Sequence, residues 1–469
     1  SLQQAVRSAF DLFKISGGRA EFSGNSAQLR RRLQDVARSC TCTGVNDLLP
    51  DSPSGGAMRI QIHRGADQIG GNCIEFEYLG SHLIVDMGMP LCVQPGDQVP
   101  LPPIPGLTSA DPRLAGIVLS HPHEDHVGQV RWIHPDAPVY LGAAAERILR
   151  ESAFWTPGGL DHRVTAHLQH RRPIQIGPFS VTPYLVDHSA HDAYALLIEA
   201  GGQRVFYSGD LRAHGRTGRF NELLRDGPRD VDVMLLEGTH VALNGPHPRQ
   251  GPSERDVESS CVRTFQKAPG IVMSCFSAQN IDRLVSIYRA ARRAGRELVI
   301  DMYTASIAMA AGQASVPQPG FEGIRVYVRN HERRRVIKQS AFDRISAIRE
   351  CRIFPAELVE RRHELVMVGR DSVLAELDRA GVLPDATFVW SMWEGYLKNP
   401  GRRSIATFAA EHGLPVVHHH SSGHASVEDL RRLVTALRPA QVVPIHTVAP
   451  EAMRAALSAR ARAIGHPPA

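Results

Sequence analysis

Gly116-Ile117-Val118-Leu119-Ser120 is apolar and β-branched, and it runs directly into His121-Pro122-His123-Glu124-Asp125-His126-Val127-Gly128. The first stretch reads as a buried strand and the second as the turn that ends it. Imidazole and carboxylate are the ligands that Zn²⁺ and similar borderline cations prefer. The spacing therefore suggests two ions, with His121 and His123 on one and Asp125 and His126 on the other. A solvated histidine-rich turn or a helix cap is the competing reading, but HxHxDH is far more restrictive than a simple histidine pair.

Other metal-capable residues recur at the ends of strand-like runs, where loops at a sheet edge build active sites. Phe179 to Val186 ends at Asp187-His188-Ser189, Arg204 to Ser208 at Gly209-Asp210, Val233 to Leu236 at Glu237-Gly238-Thr239, and Gln441 to Ile445 at His446. On its own His188 would more often be structural, and the upstream metal loop favours a ligand instead. Asp86 follows the apolar run His82 to Val85, where an ionised carboxylate needs donors around it. It reads as a brace for the metal loop, with a strand-end cap as the alternative.

These loops need a scaffold. From Met58 onward the pattern is strand-like, interrupted by the glycine-rich Gly65 to Asn72 and followed by a helical stretch around Ala143 to Ser152. From about 241 to 403 helix alternates with strand. Ser277 is placed to cap a helix carrying Ile281, Leu284, Tyr288 and Ala291, and a strand follows at Glu297 to Asp301, a pattern that predicts a small parallel α/β unit. Pro415 to His418 reads as a strand and His420 to Ser426 as a polar loop. Val427 to Leu437 reads as an amphipathic helix capped by Ser426, and the tail from Glu451 as a terminal helix. His418 and His419 are given no role, and Trp393 and Tyr396 are read as core aromatics ahead of base-stacking ones.

Before Met58 the chain reads as an appendage. Leu2, Val6, Phe10 and Phe13, then Leu29, Leu33, Val36 and Cys40, fall at helical spacing, and Pro50 to Gly56 reads as a linker. Arg30-Arg31-Arg32 is taken as a solvated helix face. With 469 residues more than one domain is expected, and 43% apolar residues suffice for large cores. A net charge of +5 is compatible with a polyanionic partner without requiring one. Seven scattered cysteines do not resemble a disulfide framework, and no long apolar segment or signal peptide is visible, so the expectation is a cytoplasmic protein without a membrane partner.

The order HxHxDH, His188, Asp210, Glu237, His424, His446 resembles the β-CASP family of metallo-β-lactamase-fold nucleases. It is closest to ribonuclease J at Gly65 to Asn72, at Phe276 to Ile281 and at His420 to Ser426. The resemblance implies an α/β fold, an αββα sandwich with an inserted β-CASP domain. It divides the chain into a helical extension and linker (1–57), the first part of the sandwich (58–240), the insertion (241–403) and the sandwich's completion with a C-terminal helix (404–469). It implies two Zn²⁺, or Mn²⁺ in their place, one held by His121, His123 and His188, the other by Asp125, His126 and His446, with Asp210 bridging. It further implies that Asp125, Asp210, Glu237 and His424 are catalytic, and that His420, Ser422 and His424 bind substrate phosphate. A histidine at position 446 accompanies RNA substrates in the family. The function implied is cleavage of single-stranded RNA, internally, from a 5′ end, or both. Hydrolysis of a small phosphodiester or acyl ester, or of single-stranded DNA, is the alternative. A homo-oligomer and a protein partner for the N-terminal helices stay open.

Overall fold

The computed structural model describes residues 13–16, 19–22, 56–91, 93, 99–156, 158–241, 251–398 and 404–458. The chain divides into two compact units, residues 1–45 and 46–469. In the first, Phe13–Ser16 and Arg19–Phe22 pair antiparallel. A helix extending through Phe13 is thus replaced by strand, in keeping with a Gly17-Gly18 pair between two short runs. The remaining expected helical positions before Met58 lie outside the described residues.

The second unit is built on three sheets. One six-stranded sheet orders Arg59–Arg64, Cys73–Tyr78, Ser81–Val85, Leu114–Val118, Val139–Gly142 and Val164–Leu168 from edge to edge. Another orders Gln441–Ile445, Val233–Glu237, Gln203–Tyr207, Tyr194–Ala200, Phe179–Leu185 and Ile174–Ile176. Strands alternate side chains between faces, so one face of each sheet is free to meet the other. Ile60, Ile62, Ile74, Phe76 and Val85 from the first sheet interleave with Phe179, Val181, Leu196, Ile198 and Val205 from the second. Outside the second sheet lie the helices Arg219–Asp226, Val427–Leu437 and Pro450–Ser458, whose Phe220, Leu430, Leu433 and Met453 cover Phe206, Met234 and Leu236. Ala145 and Leu149 of the helix Ala143–Trp155 cover the first sheet's outer face beside Ile84 and Ile117. The result is the four-layer αββα sandwich.

The third sheet has seven strands, all paired in parallel, in the order Arg352–Ile353, Ile324–Tyr327, Glu297–Asp301, Leu365–Val368, Val272–Cys275, Thr387–Trp390, Val416–His418. Leu298 and Ile300 pack with the helices Glu254–Lys267 and Ile281–Arg293, and Val299 packs on the opposite face. Two details differ from the sequence reading. Asn280, and not Ser277, caps the helix Ile281–Arg293, its side chain accepting from the Arg283 amide. The inserted sheet also extends past residue 403, because Val416–His418 adds to the edge of Thr387–Trp390. The chain therefore leaves the inserted sheet at His418 and re-enters the sandwich at Val427, and the loop between them spans both.

Phe76 is fully buried between the two six-stranded sheets. Phe76→Ala is expected to cost about 3–5 kcal/mol in urea unfolding. A loss below about 1 kcal/mol would mean that the sandwich interior is not closely packed there.

Candidate metal centre

Every loop singled out at a strand end reaches one place. The HxHxDH turn begins three residues after Leu114–Val118, and its backbone is laced to residues 72–89: the Met87 amide donates to His126 O at 2.8 Å, Met89 to Glu124 O at 3.0 Å and Asn72 to Asp125 O at 3.2 Å. The approach is so close that a Cβ on Gly88 would lie 1.8 Å from the Asp125 carbonyl oxygen, so only glycine fits. From the second sheet come His188, Asp210, Glu237 and His446.

Ligand atoms of His121, His123 and His188 fall within 4.8 Å of one another, as do those of Asp125, His126, Asp210 and His446. Asp210 Oδ2 stands between the groups, 3.3 Å from His126 Nε2, 3.6 Å from His446 Nε2, 3.7 Å from His121 Nε2 and 3.9 Å from His188 Nε2. Each of these imidazoles is held by its other nitrogen. His126 Nδ1 donates to Asp86 Oδ2 at 2.7 Å, His188 Nδ1 to Gly423 O at 2.5 Å, and His446 Nδ1 lies 2.8 Å from Thr239 Oγ1. His121 Nδ1 lies 3.0 Å from Ser120 Oγ. Fixing Nδ1 in this way turns Nε2 toward the common centre.

The donors fit cations. His121 Nε2, His126 Nε2 and Asp210 Oδ1 are buried and have no hydrogen-bond partner among the described residues. Orphaned buried polar atoms are costly, and a cation among them would satisfy all three. Burial holds the His121 and His188 imidazoles well below their usual range, which keeps them in the neutral, metal-binding form. Burial acts on His126 in the same sense, but the carboxylates of Asp210, Asp86 and Asp125 outweigh it and retain a proton. A field that holds a proton there would equally hold a cation. In the same way burial raises Asp125 and Asp210, and the neighbouring imidazoles override it and keep both ionised.

Asp86 is fully buried at a positive φ of 62° and accepts from four donors: the Ser120 amide at 2.7 Å, Ser120 Oγ at 2.8 Å, His126 Nδ1 at 2.7 Å and Tyr207 OH at 2.6 Å. These contacts make it the brace of the metal loop. His446 is likewise held at a positive φ, 50°, backbone strain of the kind that collects at functional sites.

Glu237 and His424 sit beside the ligands, with Glu237 Oε1 3.5 Å from His424 Nδ1. Burial pushes the His424 imidazole down, and the charges of Glu237 and Asp210 more than compensate, raising it to about 9. Ser422 Oγ accepts from the His424 amide at 3.1 Å and lies 2.9 Å from His240 Nε2. His420 is turned aside, its Nδ1 3.3 Å from Ser391 O, and burial pushes it down to about 4. His419 meets Thr264 Oγ1 at 2.8 Å, away from the ligands. Trp393 and Tyr396, expected in the core, are exposed at 64% and 63% and pack edge to face at 5.4 Å. The residues beneath them, Ser391 and Met392, carry the hydrogen bonds to the histidines of the loop, so the turn that follows is pushed outward.

The sequence reading gives no role to Thr239, His240, Ser120 or Tyr207. Thr239 and His240 directly follow Glu237-Gly238, and Ser120 directly precedes His121, so adjacency to a motif was the available signal.

Comparisons with known proteins agree with this architecture. Residues 83–257 match the Beta-lactamase superfamily domain and residues 415–466 the Zn-dependent metallo-hydrolase RNA specificity domain. Ribonuclease J of Mycolicibacterium smegmatis is 30% identical over 267 residues, which cover 54% of this chain and 46% of that protein. Ribonuclease J of Pyrococcus abyssi is 26% identical over 432 residues, covering 83% of this chain and 89% of that one. The matched region thus spans about half the length of the mycobacterial relative. A crystal structure of a protein of unknown function from Enterococcus faecalis superposes with a TM-score of 0.66 at 21% identity, over 84% of this chain and 95% of that chain.

Asp86→Asn would place an amide N–H₂ against donors, and it is expected to weaken Zn²⁺ affinity about 10–100-fold in chelator competition. Affinity of the unaltered chain should also fall as pH is lowered, because His126 retains its proton more tightly than an ordinary imidazole and metal must displace it. Unchanged affinity in the variant would remove Asp86 from the support of the centre.

Proposed function

We infer that this chain, a β-CASP-type, metallo-β-lactamase-fold relative of ribonuclease J, is a cytoplasmic hydrolase of single-stranded RNA that uses two metal ions. The observation that carries this reading is the pair of ligand groups that meet at Asp210, next to a cationic His424 and a polar loop. His121, His123 and His188 would hold one ion, Asp125, His126 and His446 the other, with Asp210 shared. When bound, two such cations, Zn²⁺ or Mn²⁺, make a nucleophile available from water near neutral pH and neutralise charge on a phosphodiester.

The chain's own residues supply the rest. His424 is protonated at neutral pH and its side chain keeps a small exposed part, so it can contact the phosphate and pass its Nε2 proton to the leaving oxygen. Glu237, fully buried, orients that imidazole and stabilises its charge. Ser422 Oγ and the amides beside it face the same phosphate. A neutral His420 whose Nδ1–H is directed to Ser391 O offers only an acceptor, so its contribution to phosphate binding is to support the loop. Exposed Trp393 and Tyr396 offer ring faces on which bases of a single strand stack.

The test is cleavage of single-stranded RNA labelled separately at its 5′ and 3′ ends, with single-stranded DNA alongside. RNA cutting that is abolished by chelator and by Asp125→Ala with His126→Ala is expected, and the product lengths distinguish internal from 5′-end attack. No cleavage of either polymer by metal-loaded protein would redirect the reading to a small phosphodiester or acyl ester. The rate should fall at alkaline pH, where His424 loses the proton that Glu237 helps it hold, and His424→Gln should be slow at every pH without that limb. Trp393→Ala should weaken RNA binding by ~1–3 kcal/mol and leave hydrolysis of a small phosphodiester unchanged.

A further inference from the structure

A layer of buried charge lies under the loop that joins the inserted sheet to the sandwich. Arg212 follows Asp210 by two residues, while Arg283 and Glu254 come from the helices Ile281–Arg293 and Glu254–Lys267 of the inserted sheet, and all three side chains are fully buried. Glu254 joins the two guanidiniums, accepting from Arg212 Nη1 at 3.2 Å and from Arg283 Nη2 at 2.9 Å and Nε at 3.0 Å. Arg212 also pairs with Asp187, next to His188, at 3.0 Å and with Asp282 at 2.7 Å.

Each arginine spends a further N–H on the loop's backbone. Arg283 Nη2 donates to Ser421 O at 3.0 Å and Arg212 Nη1 to Ser422 O at 3.1 Å. Burying cations under backbone carbonyls has a geometric consequence. In a trans peptide the N–H points opposite to the C=O of the same plane. With the Ser421 and Ser422 carbonyls directed into the guanidinium layer, the Ser422 and Gly423 amides are directed away from it. Neither amide has a hydrogen-bond partner among the described residues, and Ser421 Oγ, buried beside them, has none either. On its far side the loop presses against the ligand loop, where a Cβ on Gly423 would lie 2.4 Å from Ser189 Oγ and 3.1 Å from His188 Cε1. Successive free amides directed to one side can form an anion site, and the two guanidiniums, themselves neutralised by Glu254, Asp187 and Asp282, act on it by fixing the carbonyls of the same peptides.

We propose that Arg212 and Arg283, joined by Glu254, are positioning residues that present the Ser422 and Gly423 amides to a substrate phosphate. The inserted unit thereby becomes part of the phosphate site without touching the substrate. The proposal rests on the phosphodiesterase reading of the metal centre. It differs from a purely structural role for the ion cluster in that it ties Arg283 to phosphate affinity.

The experiment compares the full metal-loaded chain with Arg283→Met and Arg283→Lys, reading RNA cleavage, binding of inorganic phosphate, zinc content and Tm. Arg283→Met is expected to raise KM for RNA and weaken phosphate binding by about tenfold or more, with zinc content kept and kcat changed far less. Arg283→Lys keeps the charge, loses the fork, and should fall between the two. A variant with lowered Tm but unchanged KM and phosphate affinity would overturn the proposal and leave a structural cluster. An unaltered chain that binds phosphate but neither binds nor cuts RNA would refute the ribonuclease reading instead. In that case the phosphate arm of Arg283→Met still decides the role of the arginines: loss of phosphate binding supports it and retention overturns it.

Discussion

Asp86, Asp125, Asp210 and Glu237 bring four carboxylates into a space shared with the imidazoles of His121, His123, His126, His188, His424 and His446. Taking an ion out of water costs several kcal/mol unless opposite charge and hydrogen bonds replace the solvent. Asp86 finds that replacement within the chain, in four donors, and Glu237 finds it in His424 and in the Thr239 and Ala425 amides. Asp210 does not, since its Oδ1 has no partner among the described residues and its Oδ2 faces imidazole nitrogens. That imbalance selects for cations at the centre. It also explains why so much surrounding structure fixes the far side of each ring.

The fold meets this demand by bringing the carboxyl ends of strands from two sheets together. The first sheet supplies the HxHxDH turn and Asp86, and the second supplies His188, Asp210, Glu237 and His446. Thr239 shows how tightly the contributions are joined: its hydroxyl lies 2.8 Å from His446 Nδ1 and 3.1 Å from His424 Nδ1, linking the two histidines. The inserted sheet enters through the loop after His418. Its helices hold that loop through Arg283, itself paired with Glu254, so the inserted sheet supports a loop that also packs on the histidine cluster of the sandwich.

Much of the centre was legible in the sequence because its residues stand where strands end, and strand ends can be read from apolar runs followed by polar turns. HxHxDH, His188, Asp210 and His446 all fall in such places, as does the helix Val427–Leu437 with its Ser426 cap. What escaped depends on partners distant in the chain. Arg212 meets Asp282 and Arg283 meets Ser421, pairings across 70 and 138 residues, so no local pattern marks either arginine as buried. Trp393 and Tyr396 carry an apolar signal that ordinarily means core, yet the hydrogen bonds of Ser391 and Met392 to the histidine loop leave them outside. Pro415 to His418 was legible as a strand but its place beside Thr387–Trp390 was not, because a three-residue strand carries no mark of the edge on which it will pair.

Native mass spectrometry of the chain loaded with Zn²⁺, beside Asp210→Ala, bears on the cation-holding centre from which everything else here follows. Two ions on the unaltered chain, and one or none on the variant at matched folding, is the expected result. A chain that takes up no metal, or a variant that keeps both ions with unchanged affinity, would contradict a centre organised around a shared Asp210 carboxylate.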